Sequence, residues 1–222
     1  RSEFVSMKYA YHGSSQGAAS LMWPKDFTEA YHPLLPGISY IDFNEDADLS
    51  QITEKTAAVI AETVQAEWGL RTPTNDYLKK LGQRCDEVGA LLILDEIQPG
   101  FGRTGKVFGF ENYNCTPDVV VVGKGLGGGM PIGAFSASAK LMDSLSDAPK
   151  LGHITTFGGH PVIAAAALAT LKEITQSSLM HEVLEKEKII RKSLKHPLIK
   201  EIRGKGLMLT LITPNAEITN TV

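Results

Sequence analysis

The stretch of residues 119–135, VVVVGKGLGGGMPIGAF, limits what this chain can fold into more than any other. Four consecutive valines predict a short strand buried on both faces, as in a parallel sheet covered by helices. Gly123 ends that strand and Lys124 follows at once. Gly125, Gly127, Gly128 and Gly129 then surround the lysine with small residues before Met130 and Pro131. A second apolar run over 132–137 resumes strand character. A single amine is therefore expected at the carboxyl end of a buried strand, the edge at which open α/β sheets bind ligands. Two readings of it stand side by side. It is a solvated loop lysine, or it is an amine partly desolvated at the strand end, held neutral and able to form an imine with a carbonyl. The glycines favour the second, since each costs chain entropy on folding. Gly123, Gly125 and Gly128 have dinucleotide-binding spacing, but that motif opens a helix and this one runs into Pro131 and a strand. A phosphate-binding P-loop fails at Asp118, where glycine is needed, and at Gly125, where Ser or Thr is needed.

The rest of the chain alternates strand and helix. Strands are expected over 3–8, 38–42, 57–62 and 90–94, with short helical turns at 18–22 and 49–54. Residues 76–88 predict an amphipathic helix with Tyr77, Leu78, Leu81 and Cys85 on one face, stopped by Gly89. Helices follow at 139–145, 162–173 and 178–195, the second opened by Pro161 and the third broken by Pro197. Strand character returns over 201–212, and a further helix is expected beyond 214. Alternation of this kind implies parallel βαβ units with right-handed crossovers. The change after about residue 177 predicts a large unit over 1–177 and the beginning of a smaller one over 178–222.

Three strands end in ionisable residues: Glu62, Asp95 and Lys124. If the strands are parallel, these share one edge. Asp95 then either caps the turn after its strand or pairs with a cationic ring nitrogen. Pyridoxal phosphate requires such an acid together with an imine-forming lysine. Thr155, Thr156, Gly158 and Gly159 supply hydroxyls and backbone amides suited to a phosphate. Tyr11 either presents a ring face to a flat ligand or is an ordinary turn tyrosine. A net charge of −3 gives no reason to expect nucleic acid. No apolar run approaches the roughly 18 residues of a membrane span, and Cys85 and Cys115 lack metal-ligand spacing. No metal and a cytoplasmic location are expected. The missing initiator methionine at Arg1 and the helix begun near Val222 suggest an internal piece of a longer protein.

Taken in order, YHG at 11–13, AETVQAEWG at 61–69, LLILDEIQPGFGRTG at 91–105, GKG at 123–125, TTFGGHP at 155–161 and IRGKGLML at 202–209 resemble the class III, ornithine/acetylornithine-type, pyridoxal-phosphate-dependent aminotransferases. The resemblance implies fold type I, a three-layer αβα domain with a mostly parallel sheet, followed by the start of a smaller α+β domain. It implies transfer of an amino group from an ornithine-like or other ω-amine donor to a 2-oxo acid, by a homodimer. Lys124 matches the lysine that holds the cofactor's carbonyl and moves the proton, and Asp95 the partner of the pyridine nitrogen. Gln98 matches the glutamine near the phenolic oxygen, and Tyr11 the aromatic residue stacked on the ring. Thr156 matches the threonine reaching the phosphate in the neighbouring subunit, and Thr155 a position near that subunit's substrate. Glu67 matches the glutamate that gates the substrate pocket, with Glu62 supporting the same motif. Ser14 stands where the acetylornithine type carries arginine. The family's phosphate loop would precede Arg1, and its carboxylate-clamping arginine would follow Val222.

Overall fold

In a computed structural model the chain is described at residues 1–23, 27–74, 76–147, 150 and 152–215. The helix expected beyond 214 falls on residues outside these. Six strands form one sheet: β1 (Glu3–Met7), β2 (Ile38–Ile41), β3 (Thr56–Glu62), β4 (Leu91–Asp95), β5 (Val119–Gly123) and β6 (Gly133–Ala137). Their order is β2-β1-β3-β4-β5-β6. The first five run parallel, and β6 returns antiparallel beside β5. The mostly parallel α/β sheet is thus the one the alternation implies.

The short helix α1 (Gln16–Ser20) follows β1, and α2 (Tyr77–Val88) connects β3 to β4. Tyr77, Leu78, Leu81, Cys85 and Val88 of α2 are buried, and α2 packs on β3 and β4. They meet Met7, Val59, Leu92 and Leu94 in the main core, each large side chain worth about 1.5–3 kcal/mol of burial. Gly89 ends the helix in the left-handed region at φ 68°. That turn lets the Ala90 N–H reach the Cys85 carbonyl at 2.9 Å, closing the helix end as glycine caps do. The helical turn expected over 49–54 is instead a 3₁₀ segment at Asp46–Gln51, with the Glu45 carboxylate accepting from Ala47 N–H.

One sequence expectation fails at β5. Val119, Val120 and Val121 are only half-buried, and Val122 and Gly123 alone are buried. The reason is position: α2 covers β3 and β4, whereas β5 lies next to the edge strand β6, four of whose five residues are exposed. An unbroken apolar run reports a buried strand only where both faces are covered.

Helices α3 (Ala139–Asp147), α4 (Pro161–Gln176) and α5 (Leu179–Ser193) follow, with Pro161 in the first turn of α4 as expected. α5 stops at Ser193, before Pro197 is reached. The strand character over 201–212 resolves into a hairpin, β7 (Glu201–Lys205) and β8 (Met208–Ile212), forming a separate two-stranded sheet. Arg191 on α5 donates to the carbonyls of Ile202 and Gly204, while Glu187 accepts from Gly206 N–H at 2.7 Å. At the hairpin turn Leu207 N–H donates to the Arg103 carbonyl at 2.9 Å. Gly206 sits at φ 63°, and a Cβ there would lie 2.4 Å from that carbonyl oxygen. The hairpin tip is therefore pinned to the glycine-rich loop that follows β4. Among the described residues no helix is long and apolar enough to cross a membrane.

Candidate active site

Parallel pairing puts Glu62 and Asp95 opposite each other at the ends of β3 and β4. Asp95 in turn stands opposite Val121 of β5, three residues before Lys124. The three ionisable strand ends therefore share one sheet edge. Around them the chain places a residue that its sequence did not single out. His12 Nδ1 meets Asp95 Oδ2 at 2.8 Å, with the two side chains only 2% and 7% exposed. The other Asp95 oxygen accepts from Ile97 N–H at 3.0 Å, so Asp95 does cap the turn after its strand. One Asp95 oxygen thus caps the turn and the other meets His12.

Glu62 is buried beside this pair. Its Oε1 accepts from Ala66 N–H at 3.1 Å and its Oε2 from Tyr11 N–H at 3.4 Å. Burial pushes its carboxyl up to about 7, and the nearby His12 and the two N–H donors pull the other way. One carboxyl group thus fastens two loops to the edge, the one carrying Tyr11 and the one carrying Glu67. The adjacent Glu96 points into the interior, where it accepts from the Thr63 hydroxyl and from the Gly109 and Phe110 N–H groups at 2.7 and 2.9 Å. Those hydrogen bonds hold its carboxyl down against a larger upward push from burial. Strand alternation sends Asp95 and Glu96 to opposite sides, one toward the ligand edge and one toward the loop at 109–110.

Lys124 lies at φ 42°, a left-handed conformation uncommon for a residue with a side chain and concentrated at functional sites. Its Nζ donates to Gln98 Oε1 at 3.2 Å. Both line a cavity of about 350 Å³ whose walls include Ile97, Arg103, Leu207 and Met208. The lysine is exposed, which corrects the expectation of an amine desolvated at the strand end. The half-covered β5 gives it no dry wall. The glycine argument also needs amendment. Gly128, at φ 57°, would carry a Cβ 2.1 Å from Thr170 Oγ1 of α4, so the approach of that helix requires glycine there. A Cβ on Gly125 would have ordinary contact with Phe101, and one on Gly129 would meet nothing within 4 Å.

Tyr11 is 40% exposed, and with the exposed Glu67 it lines a second, smaller hollow beside the edge. Thr155 and Thr156 are exposed and line neither space. His12, Glu96 and Tyr9 are the residues of this region that sequence reasoning missed. The only signal for His12 was its place between an aromatic residue and Gly13. The donor set suits pyridoxal phosphate: a buried carboxylate for a ring nitrogen, an amine, an amide donor-acceptor and an open aromatic face. His12 Nε2, buried without a hydrogen-bond partner among the described residues, marks polar capacity still unused at this edge.

The family profile of the class-III aminotransferases matches residues 1–222, and the chain belongs to that family, whose members depend on pyridoxal phosphate. Among curated relatives, it is 38% identical over 216 residues to an acetylornithine aminotransferase of Caldanaerobacter subterraneus, covering 94% of this chain and 54% of that protein. It is 36% identical over 214 residues to the [LysW]-aminoadipate semialdehyde/glutamate semialdehyde transaminase of Sulfurisphaera tokodaii, again covering 94% and 54%. The ornithine aminotransferase of Toxoplasma gondii superimposes with a TM-score of 0.90 at 30% identity, over 98% of this chain and 53% of that one. The chain thus spans about half the length of the curated relatives it matches.

Proposed function

We propose that the protein of which this chain is part is an aminotransferase, moving an amino group from an ornithine-like or other ω-amine donor to a 2-oxo acid such as 2-oxoglutarate. The observation that carries the reading is the shared sheet edge, where buried Asp95 and the Lys124–Gln98 pair stand at the ends of adjacent parallel strands. Pyridoxal phosphate, when bound, supplies the electron sink for breaking a bond at the donor's amine-bearing carbon. Asp95 would pair with the cofactor's ring nitrogen, and the Asp95–His12 contact holds that carboxylate in one orientation. Lys124 would hold the cofactor's carbonyl carbon, and its Nζ would serve as the base that moves a proton at the donor's amine-bearing carbon. Gln98 steadies the phenolic side, and Tyr11 offers its ring face. Glu67 guards the donor's entry.

Thr155 and Thr156 line neither space in this chain, in keeping with service to the cofactor phosphate and substrate of a second copy. A homodimer with shared sites accommodates them. We read residues 178–222 as the start of a smaller C-terminal unit, whose hairpin turn donates from Leu207 N–H to the Arg103 carbonyl.

The test is a visible absorption spectrum of the protein with pyridoxal phosphate, beside Lys124→Ala. The expected result is a band that requires the lysine and that fades with amine donors and returns with 2-oxo acids. A band indifferent to Lys124, or one that no amine donor changes, would overturn the reading.

A further inference from the structure

The loop after β4 carries an arginine that no step of the proposed reaction employs. Phe101 and Gly102 N–H donate to the Val107 and Lys106 carbonyls at 2.6 and 3.1 Å, and Gly105 N–H to the Gly102 carbonyl at 2.9 Å. The loop thus folds back on itself around Arg103. Gly102 and Gly105 stand at φ 87° and 86°, where Cβ atoms would lie 3.4 Å from Ile174 of α4 and 3.3 Å from Leu184 of α5. The Arg103 carbonyl takes the Leu207 N–H of the hairpin tip. Its backbone is therefore fixed from three sides, while its side chain is exposed. The guanidinium has no ion-pair partner among the described residues.

Arg103 borders two spaces. One is a groove against α4 and α5, walled by the apolar Ile174, Met180 and Val183 and by the like charge of Lys186. The other is the cavity of about 350 Å³ that Lys124 and Gln98 line, with Leu207, Met208 and Leu209 of the hairpin among its walls. That volume lies in the range of about 300–1,000 Å³ usual for small-molecule sites. The segments that wall it, 97–103, 124–125 and 207–209, are described throughout. A guanidinium is always charged in proteins, and its planar fork of donors fits a carboxylate on two parallel bonds. Lys124 acts at a carbonyl carbon, so an acid group taken by Arg103, on a separate loop, belongs to another part of the same ligand. The apolar hairpin wall suits methylenes lying between the two. We infer that Arg103 recognises the far carboxylate of a 2-oxo diacid, so that acceptor selectivity resides in the loop at 101–105. This rests on the aminotransferase reading for the identity of the acceptor, whereas the preference of Arg103 for a carboxylate does not depend on it.

The experiment compares the cofactor-loaded parent with Arg103→Met and Arg103→Lys in two arms. One measures binding without reaction, by ligand-observed NMR titration of pentanoate and its neutral counterpart pentanamide. The parent is expected to prefer pentanoate roughly ten-fold, Arg103→Met to lose that preference and Arg103→Lys to keep part of it. The other arm mixes the pyridoxamine-phosphate form with 2-oxoglutarate or 2-oxopentanoate and follows the visible cofactor band. Arg103→Met should raise the half-saturating concentration of 2-oxoglutarate roughly ten-fold. That of 2-oxopentanoate, which lacks the far carboxylate, should stay within about two-fold and so show that the site is intact. Equal losses for both acids, as a merely structural role or weakened cofactor retention would give, would overturn the inference. So would an undiminished advantage of 2-oxoglutarate in Arg103→Met, or a parent indifferent between pentanoate and pentanamide. A cofactor band that neither acid moves, alongside a pentanoate preference that needs Arg103, would instead overturn the aminotransferase reading and leave the carboxylate site standing.

Discussion

Replacing Glu62 by glutamine isolates the cost of keeping a carboxylate at this edge. Glu62 is 5% exposed, and burial lifts its carboxyl from the ordinary 4.5 to about 7 in the folded chain. The folded state therefore binds this proton more tightly than the unfolded state does. The stabilisation from that proton is complete below about pH 4.5 and is lost as pH rises to about 7. Above pH 7 the folded protein carries the ionised group at full cost, on the order of 3 kcal/mol at 1.36 kcal/mol per unit. Glutamine is nearly isosteric and cannot ionise, so it carries no such pH-dependent cost. Its single carbonyl can accept from Ala66 or from Tyr11 but not from both, and the N–H left over costs about 1–3 kcal/mol. Glu62→Gln should therefore be the less stable protein at pH 5 and should match or exceed the parent at pH 8. Urea unfolding of both at pH 5, 6, 7 and 8 measures the swing, expected at about 2–3 kcal/mol. A stability difference that stays constant across that range would refute the assignment of a strained carboxylate to Glu62.

Two further outcomes follow from contacts away from the cofactor residues. Gly128→Ala combines a left-handed backbone with a Cβ 2.1 Å from Thr170 Oγ1 and should cost about 2–4 kcal/mol. Adding Thr170→Ala should restore part of that in thermal or urea unfolding, whereas strictly additive losses would show that the two do not meet. Arg191→Met removes the donors to the Ile202 and Gly204 carbonyls and should cost about 1–3 kcal/mol locally. Amide hydrogen exchange in β7, β8 and at Gly206 should accelerate while β3 and β4 stay protected, and unchanged hairpin protection would refute the pinning role.

Much of this architecture is local and so was legible in the chain alone. The period of α2 and its glycine stop, the strand at 56–62, and the strand ending in Asp95 are written in neighbouring residues, and each formed within a residue or two of its expected bounds. Parallel pairing followed from the alternation of strand and helix, and it alone was enough to bring Glu62, Asp95 and Lys124 to one edge. What lay out of reach depended on groups distant in sequence. His12 meets Asp95 across 83 positions, and no periodicity announces such a contact. The need for glycine at 128 comes from Thr170 on a helix that packs later in the chain, not from the lysine beside it. Burial of the valines in β5 depended on which helices cover that end of the sheet, and exposure of Lys124 followed from the same thin cover. Sequence determines element type through the periodicity of neighbours and backbone preference. Solvation and pairing at the site depend on which surfaces meet, and only the tertiary structure decides that.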